Sequence, residues 1–297
     1  MKRISLILIV FQFLISPSFA STKTKCENVV HVVLLAGQSN MAGAGNFDEL
    51  DEKVKQKIKE IGKRVHLSIN GESPKPLSCI FSQYQKNKRG FGNVFGPEIF
   101  LGLTLAEQNP TQEYLFIKTS QGGTALYGAW NPEWTAEKAM AVEVKGFKRD
   151  LKLYSLHQSH IKKNLQRLTE EGKAYKIIGM CWMQGENDAA KEVSSRSYKE
   201  NLIKLIKGYR SEFNVPEMPF VIGQINSSYG SFPAGPEMVR KAMVSVAESD
   251  VNASCIRTSM DKSWSDYPKN DDNVHYDAEG QTRLGRAFAK ELMILCQ

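Results

Sequence analysis

Three residues in this chain have the types and settings needed to activate a nucleophile: Ser39 in Gly37-Gln38-Ser39-Asn40-Met41, and Asp272 and His275 in Asp271-Asp272-Asn273-Val274-His275. A serine hydroxyl attacks a carbonyl only when an imidazole takes its proton, and the imidazole needs a carboxylate to fix its tautomer and stabilise its cation. An Asp three residues before a His on a turn can fold its carboxylate back to Nδ1, leaving Nε2 to face the serine. Acyl transfer also builds a tetrahedral oxyanion that requires donors held in place. The candidates are the backbone N–H of Ser39, that of Gly123 or Gly122, where a missing side chain permits close approach, and the side-chain amide of Gln184. Each residue also has a plainer role open to it. Ser39 could cap a helix, Asp272 or Asp277 could cap the last helix with His275 a surface residue before it, Gly122-Gly123 could be a turn, and Gln184 could satisfy loop backbone. Only their joint placement favours a site.

That placement follows from the elements around them. Continuous apolar, β-branched runs at 29–36 (VVHVVLLA), 113–119 (EYLFIKT), 176–183 (KIIGMCWM), 219–225 (PFVIGQI) and, more weakly, 253–257 predict strands buried on both faces. Between them, apolar residues spaced by three and four predict helices over 95–108, 151–171, 195–213, 236–249 and 278–295. Strands alternating with such helices predict a mostly parallel sheet covered on both faces, a three-layer α/β/α sandwich. Ligands of open parallel sheets bind beyond the carboxyl ends of the strands. The residues there are polar and glycine-rich: Gly37 to Met41, Ser120 to Thr124, Gln184 to Asp188, and the segment that ends in His275. The stretch 43–96 is less regular, with a charged helical piece at 49–62, a short strand at 64–69 and a Pro, Gly and Lys-rich loop that is expected to wall the cleft.

The first twenty residues have the layout of a secretory signal peptide, with Lys2 and Arg3, an apolar run from Ile4 to Ile15, and the small-x-small sequence Ser18-Phe19-Ala20. The run is shorter than the roughly 20 residues that span a bilayer. Cleavage after Ala20 is expected to leave residues 21–297 as a single secreted or periplasmic domain with no membrane insertion. A net charge of +7 is spread along the chain among acids, and no arginine-rich tract or nucleic-acid motif accompanies it, so a nucleic-acid partner is not expected. The five cysteines match no metal-site spacing. Cys181 lies in an apolar run and is expected to be reduced, whereas Cys26, Cys79, Cys255 and Cys296 are open to pairing. His157 and His160, three apart on a predicted helix, lack a third ligand and are read as a solvated face, so neither metal nor other cofactor is expected. His31 and His66 lie in predicted strands and are read as structural. Tyr127, Trp130 and Trp134 follow the Gly-Gly loop among Gly128, Asn131 and Pro132, a setting that suits a sugar-stacking wall.

The blocks LLAGQSNMAG (34–43), TSQGGTAL (119–126), WMQGENDA (182–189) and DNVHYDAEGQ (272–281) resemble the sialate O-acetylesterase and acetylxylan esterase-like branch of the SGNH hydrolases; FGPE (95–98) and NPEW (131–134) are similar to it too. The resemblance implies a flavodoxin-like sandwich and metal-free deacetylation of an acetylated saccharide. It implies Ser39 as nucleophile, the Asp272–His275 pair, and an oxyanion hole from Ser39, Gly123 and Gln184. Two departures bear on the transfer. Gln184 stands where many SGNH enzymes place an asparagine, and Glu186 offers itself as an alternative acid for His275, although the short separation of Asp272 favours the latter. An α/β-hydrolase lipase is a poorer match, because no Gly-x-Ser-x-Gly elbow surrounds a candidate serine. A non-catalytic carbohydrate-binding envelope protein on the same scaffold is the rival from another class.

Overall fold

The structure is a computed structural model and describes residues 29–143, 146–261 and 265–297; the expected signal peptide and Cys26 lie outside the described residues. Among the described residues the strands are β1 (Val30–Gly37), β2 (Gly45–Asn46), β3 (Val65–Ile69), β4 (Lys75–Pro76), β5 (Ile80–Phe81), β6 (Asn93–Phe95), β7 (Tyr114–Ser120), β8 (Tyr175–Met183), β9 (Phe220–Gly223) and β10 (Ala253–Ile256). The helices are α1 (Ser39–Ala42), α2 (Glu52–Ile61), α3 (Gln83–Arg89), α4 (Glu98–Gln108), α5 (Ala136–Val142), α6 (Leu153–Glu170), α7 (Glu186–Ala189), α8 (Glu192–Glu212), α9 (Gly235–Glu248) and α10 (Ala278–Leu295).

Seven strands pair in the order β10-β9-β8-β1-β7-β3-β4, all parallel except the β3–β4 pair. The central strand β1 is flanked by β7 and β8, and its side chains from Val32 to Ala36 are fully buried, which is why its sequence shows no polar alternation. Helices α2, α4 and α10 pack together on one face, and α6, α8 and α9 cover the other. The chain leaves β1 toward β3 on one side and later crosses to β8 on the other, so the crevice of this sheet opens at the carboxyl end of β1. Gly37 ends the strand there. A Cβ on it would lie 2.0 Å from the Met183 carbonyl oxygen, so only glycine lets β1 and β8 close up beneath the site.

The mostly parallel α/β/α sandwich read from the sequence is present, with helix and strand ends shifted by a few residues. The interval 43–96 holds more than was expected: β2, β6 and β5 form a separate antiparallel sheet, and α3 stands beside it. Cys79, Cys181, Cys255 and Cys296 are free thiols. The pairing open to Cys79, Cys255 and Cys296 is not formed among the described residues; they lie in the loop before β5, on strand β10 and at the end of α10. His157 and His160 are not a solvated face. His157 is buried between Tyr209 Oη, 2.8 Å from Nδ1, and the Ile117 carbonyl, and burial pushes it down to about 3, while His160 Nδ1 lies 2.9 Å from Thr119 Oγ1. Among the described residues no helix is long and apolar enough to cross a membrane.

Candidate active site

A cleft of about 550 Å³ opens at the carboxyl end of β1, and Ser39, Gly122, Gly123, Asn187 and His275 all line it. Ser39 is the first residue of α1, directly after the Gly37-Gln38 corner. Its neighbours are fixed by an unusual amount of side-chain bonding. The Gln38 amide donates to Glu186 Oε2 at 2.6 Å, and the Asn40 amide donates to Glu186 Oε1 at 2.9 Å and to the Val274 carbonyl at 3.1 Å. Asn40 Oδ1 in turn accepts from the Tyr276 N–H at 3.0 Å. One asparagine therefore ties the serine turn to both sides of His275. Below α1, the buried Lys118 ammonium donates to the Ala42 carbonyl at 3.1 Å and pairs with the buried Glu98 carboxylate at 2.7 Å.

The turn before α10 carries the imidazole. Asp272 Oδ1 accepts from the backbone N–H groups of Val274 and His275 at 3.1 and 3.0 Å, which closes the turn, and Oδ2 lies 2.7 Å from His275 Nδ1. Partial burial pushes the Asp272 carboxyl up, but those two backbone donors and the imidazole outweigh it and hold the group well below the usual carboxylate range. An ionised Oδ2 selects the tautomer with hydrogen on Nδ1, and Nε2 has no hydrogen-bond partner among the described residues. Two cations from α3 reach the same oxygen: Arg89 Nη2 at 2.5 Å and Lys88 Nζ at 3.3 Å. No local pattern announces this contact, which joins residues 183 positions apart. Among the described residues Ser39 Oγ and His275 share the cleft without a closed hydrogen bond, as is common before substrate arrives.

Glu186 does not touch the imidazole. It is 2 % exposed, and its two oxygens are taken by the Gln38 and Asn40 amides; burial raises its pKa. Asp272, not Glu186, is the carboxylate on His275. Asp188 is likewise buried and braces the next loop, accepting from Leu126 N at 2.7 Å, Tyr127 N at 3.0 Å and Gln184 Nε2 at 2.6 Å; burial pushes it up to about 7 against these donors.

Gln184 is not placed as the oxyanion donor expected of it. Its side chain is fully buried beneath the cleft, and Nε2 is engaged by Asp188 Oδ2 and by the Thr124 carbonyl at 3.0 Å. The amide of this segment that lines the cleft is Asn187, which has no side-chain hydrogen bond among the described residues and whose Oδ1 lies 3.9 Å from where a Cβ on Gly123 would sit. The signal was available: Asn187 directly follows the same QGE block, as the second residue of α7. Gly123 has φ +67, a left-handed conformation that favours glycine, and a Cβ on its neighbour Gly122 would meet Ser39 Cβ at 3.4 Å.

The expected sugar wall is displaced as well. Trp130 is fully buried, with Nε1 donating to Thr124 Oγ1 and its ring edge-on to Trp182 at 5.2 Å, so it belongs to the core. Trp134 has its ring covered by Lys152 Nζ at 4.4 Å, and neither it nor Tyr127 lines the cleft. The aromatic rings that do are Tyr84, 66 % exposed, and Tyr229, 47 % exposed.

A mostly parallel α/β/α sandwich whose polar strand-end blocks gather at one crevice is the architecture that the resemblance to SGNH hydrolases implies. Residues 29–294 match the family described as carbohydrate esterase, sialic acid-specific acetylesterase, and the chain belongs to that family. A probable carbohydrate esterase of Arabidopsis thaliana is 29 % identical over 134 residues, 44 % of this chain; the chain spans about half of that curated relative, 47 % of its length. The fold is shared with a solved Arabidopsis thaliana protein (TM-score 0.64, 19 % identity, 90 % of this chain and 98 % of that one) and with NanS (TM-score 0.61, 14 % identity, 90 % and 98 %). It is shared too with a carbohydrate acetylesterase from Xanthomonas citri (TM-score 0.57, 14 % identity, 90 % of this chain and 56 % of that one).

Proposed function

We propose that this chain is an exported serine esterase that removes O-acetyl groups from a carbohydrate through an acetyl-enzyme, and that residues 21–297 act as a single domain after loss of the leader. The observation that carries the reading is the 2.7 Å contact of Asp272 Oδ2 with His275 Nδ1 on the wall of the cleft that Ser39 also lines. Ser39 Oγ attacks the acetyl carbonyl while His275 Nε2 takes its proton. The tetrahedral oxyanion is met by the Ser39 N–H, a glycine N–H of the Gly122-Gly123 loop and the Asn187 amide, which is free to turn its Nδ2 toward it. Collapse returns the proton to the sugar oxygen, leaving acetyl-Ser39. A water deprotonated by His275 then releases acetate and regenerates the serine. Tyr84 and Tyr229 offer ring faces to the sugar at the cleft mouth.

Acetate release from a small chromogenic acetate and from a panel of acetylated glycans is the direct test. Ser39→Ala should abolish both while the far-ultraviolet spectrum and unfolding midpoint stay as in the native chain. Full activity in that variant would overturn the nucleophile assignment, and glycan binding without hydrolysis by the native chain would select a non-catalytic role.

A further inference from the structure

The esterase reading leaves Lys148 without a role, although it lines the cleft beside the oxyanion loop. Its ammonium lies 2.6 Å from where a Cβ on Gly123 would stand and 3.3 Å from the Gly123 carbonyl oxygen. Standard bond lengths then put the charge within about 6 Å of the Gly123 nitrogen. The same Cβ position is 3.9 Å from Asn187 Oδ1, so a glycine N–H, a side-chain amide and an ammonium converge on one wall of the cleft. Lys148 is half-buried, and no ion pair to a carboxylate neutralises it among the described residues. The acid that does feel its charge, Glu143, is buried behind this loop, with Oε1 engaged by the Ala125 and Ala129 N–H groups. A glycine at 123 is what admits the ammonium, since any side chain there would occupy its place.

Resting on the esterase reading, we propose that Lys148 supplies positive charge to the tetrahedral oxyanion, supplementing the backbone and Asn187 donors. The charge acts on the intermediate more than on the neutral ester, so it should act on kcat more than on KM.

Three replacements separate charge from scaffolding, with a neutral chromogenic acetate as substrate. Lys148→Arg keeps the charge; Lys148→Gln keeps a donor for the Gly123 carbonyl but loses the charge; Lys148→Met loses both. The Gln and Met variants should each lose about 10- to 30-fold in kcat with KM within about twofold, and Arg should stay within about threefold of the native chain. Phenylboronic acid, which adds to a serine hydroxyl as a tetrahedral anion, should bind the Gln and Met variants more weakly by a similar factor. An active Gln variant beside an impaired Met variant would reduce Lys148 to a loop anchor. Unchanged kcat in all three, or an effect confined to KM on carboxylated glycans, would equally overturn the proposal. If the native chain fails to hydrolyse the acetate, or Ser39→Ala hydrolyses it fully, the esterase reading falls first and this one with it.

Discussion

Two strand-end segments of the same cleft carry carboxylates and use them in opposite ways. The Gln184 to Asp188 segment is buried, and its acids are consumed by amide donors: Glu186 by Gln38 and Asn40, Asp188 by Leu126, Tyr127 and Gln184. The turn that bears Asp272 is partly exposed, and its acid is shared by the imidazole and the α3 cations. Burial raises both acids of the first segment, while hydrogen bonds keep Asp272 ionised. A carboxylate becomes chemistry here where it meets a group that must change its charge, and scaffolding where it meets groups that cannot.

The strongest way to break this contrast is Asp272→Asn, which leaves the turn but offers the imidazole the wrong partner. It should lower kcat by about 10³- to 10⁴-fold. Steady-state rates on the chromogenic acetate check this, and a loss under tenfold would mean that His275 is oriented by something else. Next comes Glu186→Ala, which strands two amides. It should cost about 2–4 kcal/mol in urea unfolding, with the activity loss following the loosened loops; an unchanged unfolding midpoint would show the segment not to be scaffolding.

The third prediction concerns pH. The folded value of Asp188 is raised from 3.8 to about 7, so the native state holds that proton more tightly than the unfolded chain. Its contribution is therefore most favourable below the unfolded value and declines as pH rises through about 7. Asp272 has the reverse sign: its contribution is present above the ordinary carboxylate value and lost as pH falls below it. Between about pH 4 and 7.5 the native chain should lose stability that Asp188→Asn, though weaker throughout, does not lose in the same proportion. Parallel pH profiles from urea unfolding would contradict the raised value.

What the sequence made legible follows from range. The runs around Val32 to Ala36 and Ile177 to Met183 announce buried parallel strands because both of their faces need apolar side chains, and the polar blocks after them must then meet at one end of the sheet. Asp272 and His275 could be paired on paper because three residues of turn join them. Arg89 on Asp272 and Lys148 on Gly123 are contacts between distant segments with no local period, and nothing in the residues foretells them. The tiny sheet of β2, β5 and β6 has strands of two or three residues, too short for alternation to register. Trp130 misled for a different reason: an aromatic in a glycine-rich stretch can face inward as readily as outward, and the buried partner, Trp182, sits far along the chain on β8. Gln184 misled because the match was made by block rather than by which amide of that block remains unengaged.

Asn40 adds a constraint on when the protein can begin to work. Its side chain clasps the Tyr276 N–H and the Val274 carbonyl across 236 and 234 residues of chain. Contacts of such sequence separation form late. During synthesis the strand that leads to Ser39 therefore waits, folded or not, for almost the entire polypeptide to emerge before His275 can dock. Under the proposed mechanism, a chain interrupted anywhere upstream of that clasp would carry a serine no more reactive than one on any surface, tying competence for hydrolysis to completion of the fold.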